Sequence, residues 1–138
     1  MKPLLTILFL FLSLRLFAPA GYGIITIPGG EVIQPYERLW QAVCFVESNN
    51  DPSAVNKHEG AYGIAQIRKI RLRDYAKRTG KVYTVKDCFS YEVSHKIFMF
   101  YTYPDFEVTA RCWNGGPSWR NKKATQNYWR KVQEYLNK

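Results

Sequence analysis

Apolar residues recur every three or four positions along five stretches of the chain, which is the spacing of one buried face of an α-helix. The pattern predicts helices over residues 36–48, 68–78, 90–103, 106–114 and 121–137. A short helical turn is predicted over residues 84–87. Glycine-rich residues 58–66 separate the first two helices and predict a β-hairpin or tight turn. We therefore expect an α+β fold that is mainly helical.

The first predicted helix ends with a glutamate beside its apolar face. Glu47 follows the apolar run, and Asn49, Asn50 and Pro52 stop the helix behind it. Burial desolvates a carboxylate and the negative end of the helix dipole repels it, so both effects raise the pKa of Glu47. A carboxyl that keeps its proton near neutral pH is suited to general acid catalysis. From this helix alone, a partly exposed helix-end glutamate is the simpler interpretation.

Two glycine-bearing segments downstream carry polar side chains that fit a ligand site. Residues 60–67 have the sequence Gly-Ala-Tyr-Gly-Ile-Ala-Gln-Ile, in which the glycines permit close approach of the backbone. Gln66 in this segment offers both a hydrogen-bond donor and an acceptor. Residues 113–116, Trp-Asn-Gly-Gly, are predicted to end a helix. Each segment taken alone also fits an ordinary turn or helix cap.

Taken in order, these segments resemble the lysozyme-like domain of soluble lytic transglycosylases and goose-type lysozymes. That family has a Glu-Ser pair, a Gly-x-x-Gln turn, a Tyr-Asn-Ala-Gly element and a late Tyr on its final helix. This chain has Glu47-Ser48, Gly63-Ile64-Ala65-Gln66, Trp113-Asn114-Gly115-Gly116 and Tyr128. The resemblance covers about residues 36–135. Trp113 and Gly115 depart from the family's Tyr and Ala, and residues 67–109 are only loosely similar.

The resemblance implies a lysozyme-like fold over residues 36–138, with the hairpin or glycine-rich turn beside a cleft. It implies cleavage of the glycosidic bond between N-acetylmuramic acid and N-acetylglucosamine, with Glu47 as the acid. Six residues are expected to orient Glu47 or to bind the glycan: Ser48, Tyr62, Gln66, Trp113, Asn114 and Tyr128. Tyr62 and Trp113 would stack on sugar rings, with packing in the core as the alternative for Trp113.

The number of carboxylates decides the type of reaction. Hydrolysis usually needs a second carboxylate, which activates water or acts as nucleophile. By the resemblance, lytic transglycosylases use one glutamate as acid and then as base, and the C6 hydroxyl of the sugar closes a 1,6-anhydro ring. Glu59 is the candidate second carboxylate, although its neighbours Lys57 and His58 are typical of a solvated loop. We therefore favour transglycosylation. The alternatives are a lysozyme-type hydrolase (muramidase) and a non-catalytic wall-binding or secretion-assembly protein.

The chain of 138 residues has a formal net charge of +9, and residues 21–138 carry +7 of it. A basic surface favours encounter with polyanions such as cell wall, nucleic acid or anionic membrane. The basic clusters at residues 68–78 and 120–123 come with no recognised nucleic-acid-binding motif, so we interpret them as solvated faces. The expected partner is a peptidoglycan glycan strand, with a secretion or conjugation apparatus as a further possibility. We expect a monomer that binds no nucleic acid, metal or cofactor.

The N-terminus has the pattern of an export signal, with Lys2, an apolar stretch and small residues at 18–20. We predict a signal peptide over residues 1–20, a leader over 21–35 and no membrane span once the signal is cleaved. The protein would then lie in the periplasm or cell envelope. The three cysteines, an odd number, are Cys44, Cys88 and Cys112. The resemblance makes a Cys44–Cys112 disulfide conceivable, and buried free thiols are the alternative.

Overall fold

The computed structural model describes the backbone of residues 25–26 and 32–33 and all of residues 35–138. Five α-helices dominate this part of the chain, with two short 3₁₀ helices at Lys86–Phe89 and Trp119–Asn121. The α-helices are α1 (Pro35–Ser48), α2 (Lys69–Thr79), α3 (Tyr91–Phe100), α4 (Phe106–Gly115) and α5 (Lys123–Leu136). The strands are β1 (Ile25–Thr26), β2 (Val32–Ile33), β3 (Val55–Asn56), β4 (Ala61–Tyr62) and β5 (Ile67–Arg68).

Local sequence signals set the ends of these helices. Asn49 and Asn50 both adopt positive φ directly after α1, with values of 55° and 64°, and so turn the chain out of the helix. Ser90 and Asp105 cap the N-termini of α3 and α4, because their side chains accept hydrogen bonds from backbone N–H groups three residues later. Gly80 ends α2 in the left-handed conformation.

The segment between α1 and α2 is a three-stranded antiparallel sheet, with strand order β3-β4-β5. Tyr62 in the central strand is paired with Val55 on one side and with Ile67 on the other. The prediction of a small β element is therefore confirmed, while its extent was underestimated by one strand. Ile67, which the sequence analysis placed just after the turn, belongs to that third strand and is buried in the core.

The hydrophobic core lies between α1, α3, α4 and α5. α5 packs against both α1 and α4, and its Val132 is fully buried together with Leu39, Trp40 and Val43 of α1. Gly115 at the end of α4 packs tightly on α5, because a Cβ atom there would overlap the methyl group of Thr125. The departure from the family's alanine at this position thus fits the close approach of two helices.

The prediction of a mainly helical α+β fold is confirmed, and the predicted helices differ from α1–α5 by only a few residues at most ends. The largest difference is in α3, which ends at Phe100 instead of residue 103 because Pro104 and the cap of α4 follow closely. In the described ranges, no helix combines the length and apolarity needed to cross a membrane. The predicted signal peptide, residues 1–20, and most of the leader lie outside the described residues.

Candidate active site

Glu47 and Tyr128 meet at the interface of α1 and α5. The hydroxyl of Tyr128 donates a hydrogen bond of 2.9 Å to Oε1 of Glu47 across 81 positions of sequence. Tyr128 is buried and belongs to the core cluster. A rigid, buried donor of this kind fixes the orientation of the carboxyl that it contacts. The structure thus brings together the first and the last of the residues selected from the sequence.

Burial raises the pKa of Glu47 from its ordinary value of 4.5 to about 7. The hydrogen bond from Tyr128 and the charges of Arg68 and Arg71 act in the opposite direction, while the charge of Glu59 adds to the rise. The residue as a whole is half-buried, and its carboxyl is desolvated. A pKa near neutrality makes both the acid and the base form available to a reaction.

Ser48 joins the end of α1 to the loop between β4 and β5. Its hydroxyl donates to the carbonyl of Ile64 at 2.8 Å and accepts from the backbone N–H of Asp51 at 3.1 Å. The side chain therefore makes no hydrogen bond to the neighbouring Glu47. Its effect on Glu47 is indirect, because it fixes the last turn of α1 against the sheet.

Gln66 braces the same loop from inside. Its Nε2 donates to the carbonyl of Gly63 at 2.9 Å and to that of Ala54 at 3.4 Å. The residue itself has a φ of 50°, which is uncommon for a residue with a side chain and costs backbone strain. Gly63 also has positive φ, and a Cβ atom there would overlap the carbonyl of Cys88. Within the described part of the chain Oε1 of Gln66 accepts no hydrogen bond, so it is available to a ligand.

Trp113 lies in the core. Its side chain is only 5% exposed, its ring packs edge-on against Phe98, and its Nε1 donates to the carbonyl of Ala65 at 3.2 Å. So little ring surface is left that stacking on a sugar is disfavoured, and the core-packing interpretation fits the structure. The indole instead ties the end of α4 to the loop that follows β4.

Asn114 acts through its main chain. Its carbonyl accepts a hydrogen bond of 3.1 Å from Nη2 of Arg68. Its side chain makes no hydrogen bond to Glu47 or to any other described residue. Of the two expected roles of Asn114, a hydrogen bond to the Glu47 carboxyl is absent from this structure, while binding of the glycan stays a prediction for this half-buried residue.

Tyr62 and Glu59 lie on the sheet side of the site. Tyr62 is half-buried in β4, with its ring edge-on to Phe89 at 6.4 Å between ring centroids. Glu59 is exposed in the loop between β3 and β4, where its backbone N–H donates to the side chain of Asn56. The negative charge of Glu59 raises the pKa of Glu47, so the two carboxylates interact, but no described residue forms an ion pair with Glu59.

Arg68 and Arg71 are the site residues that the sequence analysis did not assign to Glu47. Both were interpreted as part of a solvated cationic face, and Arg68 is exposed as that interpretation requires. Arg71 is instead half-buried, with its guanidinium carbon 4.3 Å from the ring centroid of Trp113 and 4.7 Å from that of Tyr101. In the sequence they lie three residues apart within the helix predicted over residues 68–78, and that spacing was the signal that could have indicated a shared target. In the structure Arg68 ends β5 and only Arg71 lies on α2.

The three cysteines are all free. Cys44 and Cys88 are buried, and Cys112 is half-buried. The conceivable Cys44–Cys112 disulfide is therefore not present, and the free-thiol alternative fits the structure. Burial raises the pKa of each of the three thiols, that of Cys88 to about 11, which makes them poor nucleophiles.

No protein-family model matches the sequence, and the search of curated proteins gives no match either. The resemblance to lytic transglycosylases and goose-type lysozymes therefore rests on the four short sequence motifs. Hydrogen bonds join three of those motifs. Ser48 donates to the carbonyl of Ile64, and Trp113 donates to the carbonyl of Ala65. Arg68, which follows Gln66 closely, donates to the carbonyl of Asn114. The fourth supplies Tyr128.

Proposed function

We propose that this protein is an exported peptidoglycan lytic transglycosylase with a lysozyme-like domain, in which Glu47 is the acid and the base. The observation that carries the proposal is the hydrogen bond from Tyr128 to a desolvated Glu47 whose pKa is about 7. A general acid for glycosidic cleavage needs a carboxyl that is protonated near neutral pH and held in one orientation.

In the first step Glu47 gives its proton to the glycosidic oxygen. The bond from C1 of the N-acetylmuramic acid to that oxygen breaks, and its electron pair leaves with the departing sugar. The ring left behind has oxocarbenium character. Tyr128 keeps Oε1 of Glu47 in a fixed position during this transfer. Removal of this orientation costs rate because proton transfer depends steeply on geometry.

In the second step the Glu47 carboxylate takes the proton of the C6 hydroxyl, and the C6 oxygen bonds to C1. The product is a 1,6-anhydro sugar, no water is consumed, and Glu47 regains its proton for the next cycle. One carboxyl suffices for both steps. Neither Oε1 of Gln66 nor the side-chain amide of Asn114 is bonded to a described residue. Both groups can therefore form hydrogen bonds to the N-acetyl group or the hydroxyls of the sugar.

The second candidate is a lysozyme-type hydrolase, favoured by the interaction between Glu59 and Glu47. In that mechanism Glu59 would activate a water or attack C1, as the paired carboxylates of glycosidases do. The exposed position of Glu59 in a loop argues for the single-glutamate mechanism, because a nucleophile must be held in place.

The test is digestion of purified peptidoglycan followed by mass spectrometry of the released muropeptides. We expect products that end in 1,6-anhydro sugars. Glu47→Gln should fold and lose at least about a thousandfold in rate, because the amide has no acidic proton. The matched control is Glu37→Gln, which removes a carboxylate from the other end of the same helix and should keep activity.

Products with a reducing end, which contain one more water than the 1,6-anhydro products, would show that the protein is a hydrolase and not a transglycosylase. A folded Glu47→Gln variant that cleaves near the wild-type rate would refute both mechanisms. Binding of glycan strands without release of any muropeptide would favour a non-catalytic wall-binding protein.

A further inference from the structure

The positive charges of Arg68 and Arg71 act on Glu47, and no carboxylate of the described residues is bonded to either guanidinium. The ion pairs of the described residues are those of Arg78, His95 and Arg111, and neither Arg68 nor Arg71 is among them. Burial is the main cause that lowers the pKa of Arg71, and the charge of Arg68 lowers it further, so the two guanidiniums also act on each other. Two like charges held together cost free energy unless a negative charge lies close by.

Both guanidiniums are held by the carbonyl end of α4. Nη2 of Arg71 donates to the carbonyls of Trp113 at 2.9 Å and Cys112 at 3.4 Å. Nη2 of Arg68 donates to the next carbonyl, that of Asn114, at 3.1 Å. The negative end of the α4 dipole compensates part of the positive charge. The hydrogen bonds also restrict where the two guanidiniums can move.

The same framework connects the pair to Glu47. Trp113, whose ring lies under Arg71, donates to the carbonyl of Ala65. The adjacent carbonyl, that of Ile64, accepts from Ser48, the residue next to Glu47. Arg71, the β4–β5 loop and the last turn of α1 are thus linked by consecutive contacts. Since Arg71 is half-buried among aromatic rings, solvent screens its charge less than that of an exposed arginine.

We propose that Arg68 and Arg71 are positioning residues that form a fixed guanidinium pair and stabilise the Glu47 carboxylate. The benefit of this stabilisation to catalysis rests on the proposed function: after Glu47 has donated its proton, the guanidinium pair stabilises the carboxylate until it takes the proton of the C6 hydroxyl. Burial favours the acid form of Glu47, and the guanidinium pair limits this rise in pKa, so that the base form is also populated near neutral pH. The pair itself exchanges no proton, since arginine stays charged in proteins.

Among the described residues, five groups act electrostatically on Glu47 or are acted on by it. They are Tyr128 on α5, Arg68 at the end of β5, Arg71 on α2, Glu59 in the loop between β3 and β4, and Cys44 on α1. Among these groups only Arg68 and Arg71 carry positive charge. Their removal therefore leaves the carboxylate with the hydrogen bond from Tyr128 and with the repulsion from Glu59.

The direct test is a titration of the Glu47 side-chain carboxyl by carbon-13 NMR, with Glu47→Gln to assign the signal. Arg68→Gln and Arg71→Gln should each raise the pKa of Glu47 by up to about one pH unit. Arg71→Lys keeps the charge and should stay closer to the wild-type titration. Arg73→Gln is the matched control, because it removes one exposed positive charge from the same helix.

An unchanged Glu47 titration in both Arg68→Gln and Arg71→Gln would overturn the proposal, as would an equal change in Arg73→Gln. If Arg71→Gln fails to fold, the Glu47 titrations in Arg68→Gln and Arg71→Lys still test the proposal. On peptidoglycan, we expect kcat to fall up to about tenfold in Arg68→Gln and Arg71→Gln with little change in KM. The titration needs no activity, so a protein that cleaves no glycan refutes the proposed function without deciding the role of the guanidinium pair.

Discussion

Helix α1 carries a glutamate at each end, and both accept a hydrogen bond from a tyrosine on another helix. Tyr91 of α3 donates to Oε1 of Glu37 at 3.3 Å, and Tyr128 of α5 donates to Oε1 of Glu47 at 2.9 Å. Glu37 lies in the first turn, where the helix dipole favours a negative charge, and Glu47 lies in the last turn, where the dipole disfavours it.

The surroundings of the two carboxyls differ further. Glu37 is paired with Nε2 of His95 at 2.9 Å, and about a third of each side chain is exposed. Glu47 forms no ion pair with any residue that the structure describes, contacts a buried tyrosine and has a pKa of about 7. The same side chain thus joins α1 to α3 through an ion pair at one end of α1. At the other end it is desolvated and has a near-neutral pKa, as the proposed proton transfer requires. The comparison shows that desolvation without a bonded cation distinguishes the candidate acid.

The largest expected effect is on stability as a function of pH. The pKa of Glu47 is about 7 in the fold and near 4.5 in the unfolded chain, so the folded state holds the proton more tightly. The stabilisation from Glu47 is complete below pH 4.5, decreases as pH rises and is lost above pH 7. Relative to wild type, Glu47→Gln should gain on the order of 2–3 kcal/mol in free energy of unfolding between pH 4.5 and pH 8.

Urea unfolding at several pH values measures this difference, and Glu37→Gln is the control because it removes a carboxylate from the same helix far from Tyr128. If the difference in stability between wild type and Glu47→Gln stays constant from pH 4.5 to pH 8, Glu47 is not desolvated and the contrast between the two ends of α1 disappears.

The helices were predictable because each buries one face, and the hydrophobic period of the sequence records that face. The three-stranded sheet was predicted only in part, since strands of two residues have too few positions to show an alternating pattern. Glu47 could be selected because burial and the helix end act through residues close to it in sequence. Its contact with Tyr128 came from the resemblance, since periodicity does not pair residues 81 positions apart.

Other parts of the site depend on packing that the sequence does not record. Arg68 and Arg71 were interpreted as solvated because charges along a helix usually are. Arg68 is exposed, but Arg71 is half-buried, and the approach of α4 provides the carbonyls that hold both guanidiniums. Asn114 was selected for its amide, yet its carbonyl makes the observed contact. Trp113 allowed either a ligand-stacking or a core position, and that choice depended on the neighbouring Phe98.

A smaller effect is expected from Tyr128→Phe, which removes the hydroxyl that contacts Glu47. We expect kcat on peptidoglycan to fall about 10- to 100-fold with KM nearly unchanged, because orientation matters most as the proton moves. The hydrogen bond lowers the pKa of Glu47, so its loss should move the basic limb of the pH–rate profile to higher pH. Tyr91→Phe, which removes the corresponding hydroxyl at Glu37, should change neither quantity. Unchanged turnover and profile in Tyr128→Phe would limit Tyr128 to a role in packing.

The smallest effect is expected from Glu59→Gln. In the single-glutamate mechanism Glu59 touches no reacting atom, so the rate should stay within about threefold of wild type and the products should still end in 1,6-anhydro sugars. Because the charge of Glu59 raises the pKa of Glu47, its removal should move the basic limb slightly to lower pH, opposite to Tyr128→Phe. Glu92→Gln, an exposed change on α3, controls for net charge. A loss as severe as that of Glu47→Gln, together with reducing-end products from the wild type, would instead make Glu59 the second carboxylate of a hydrolase.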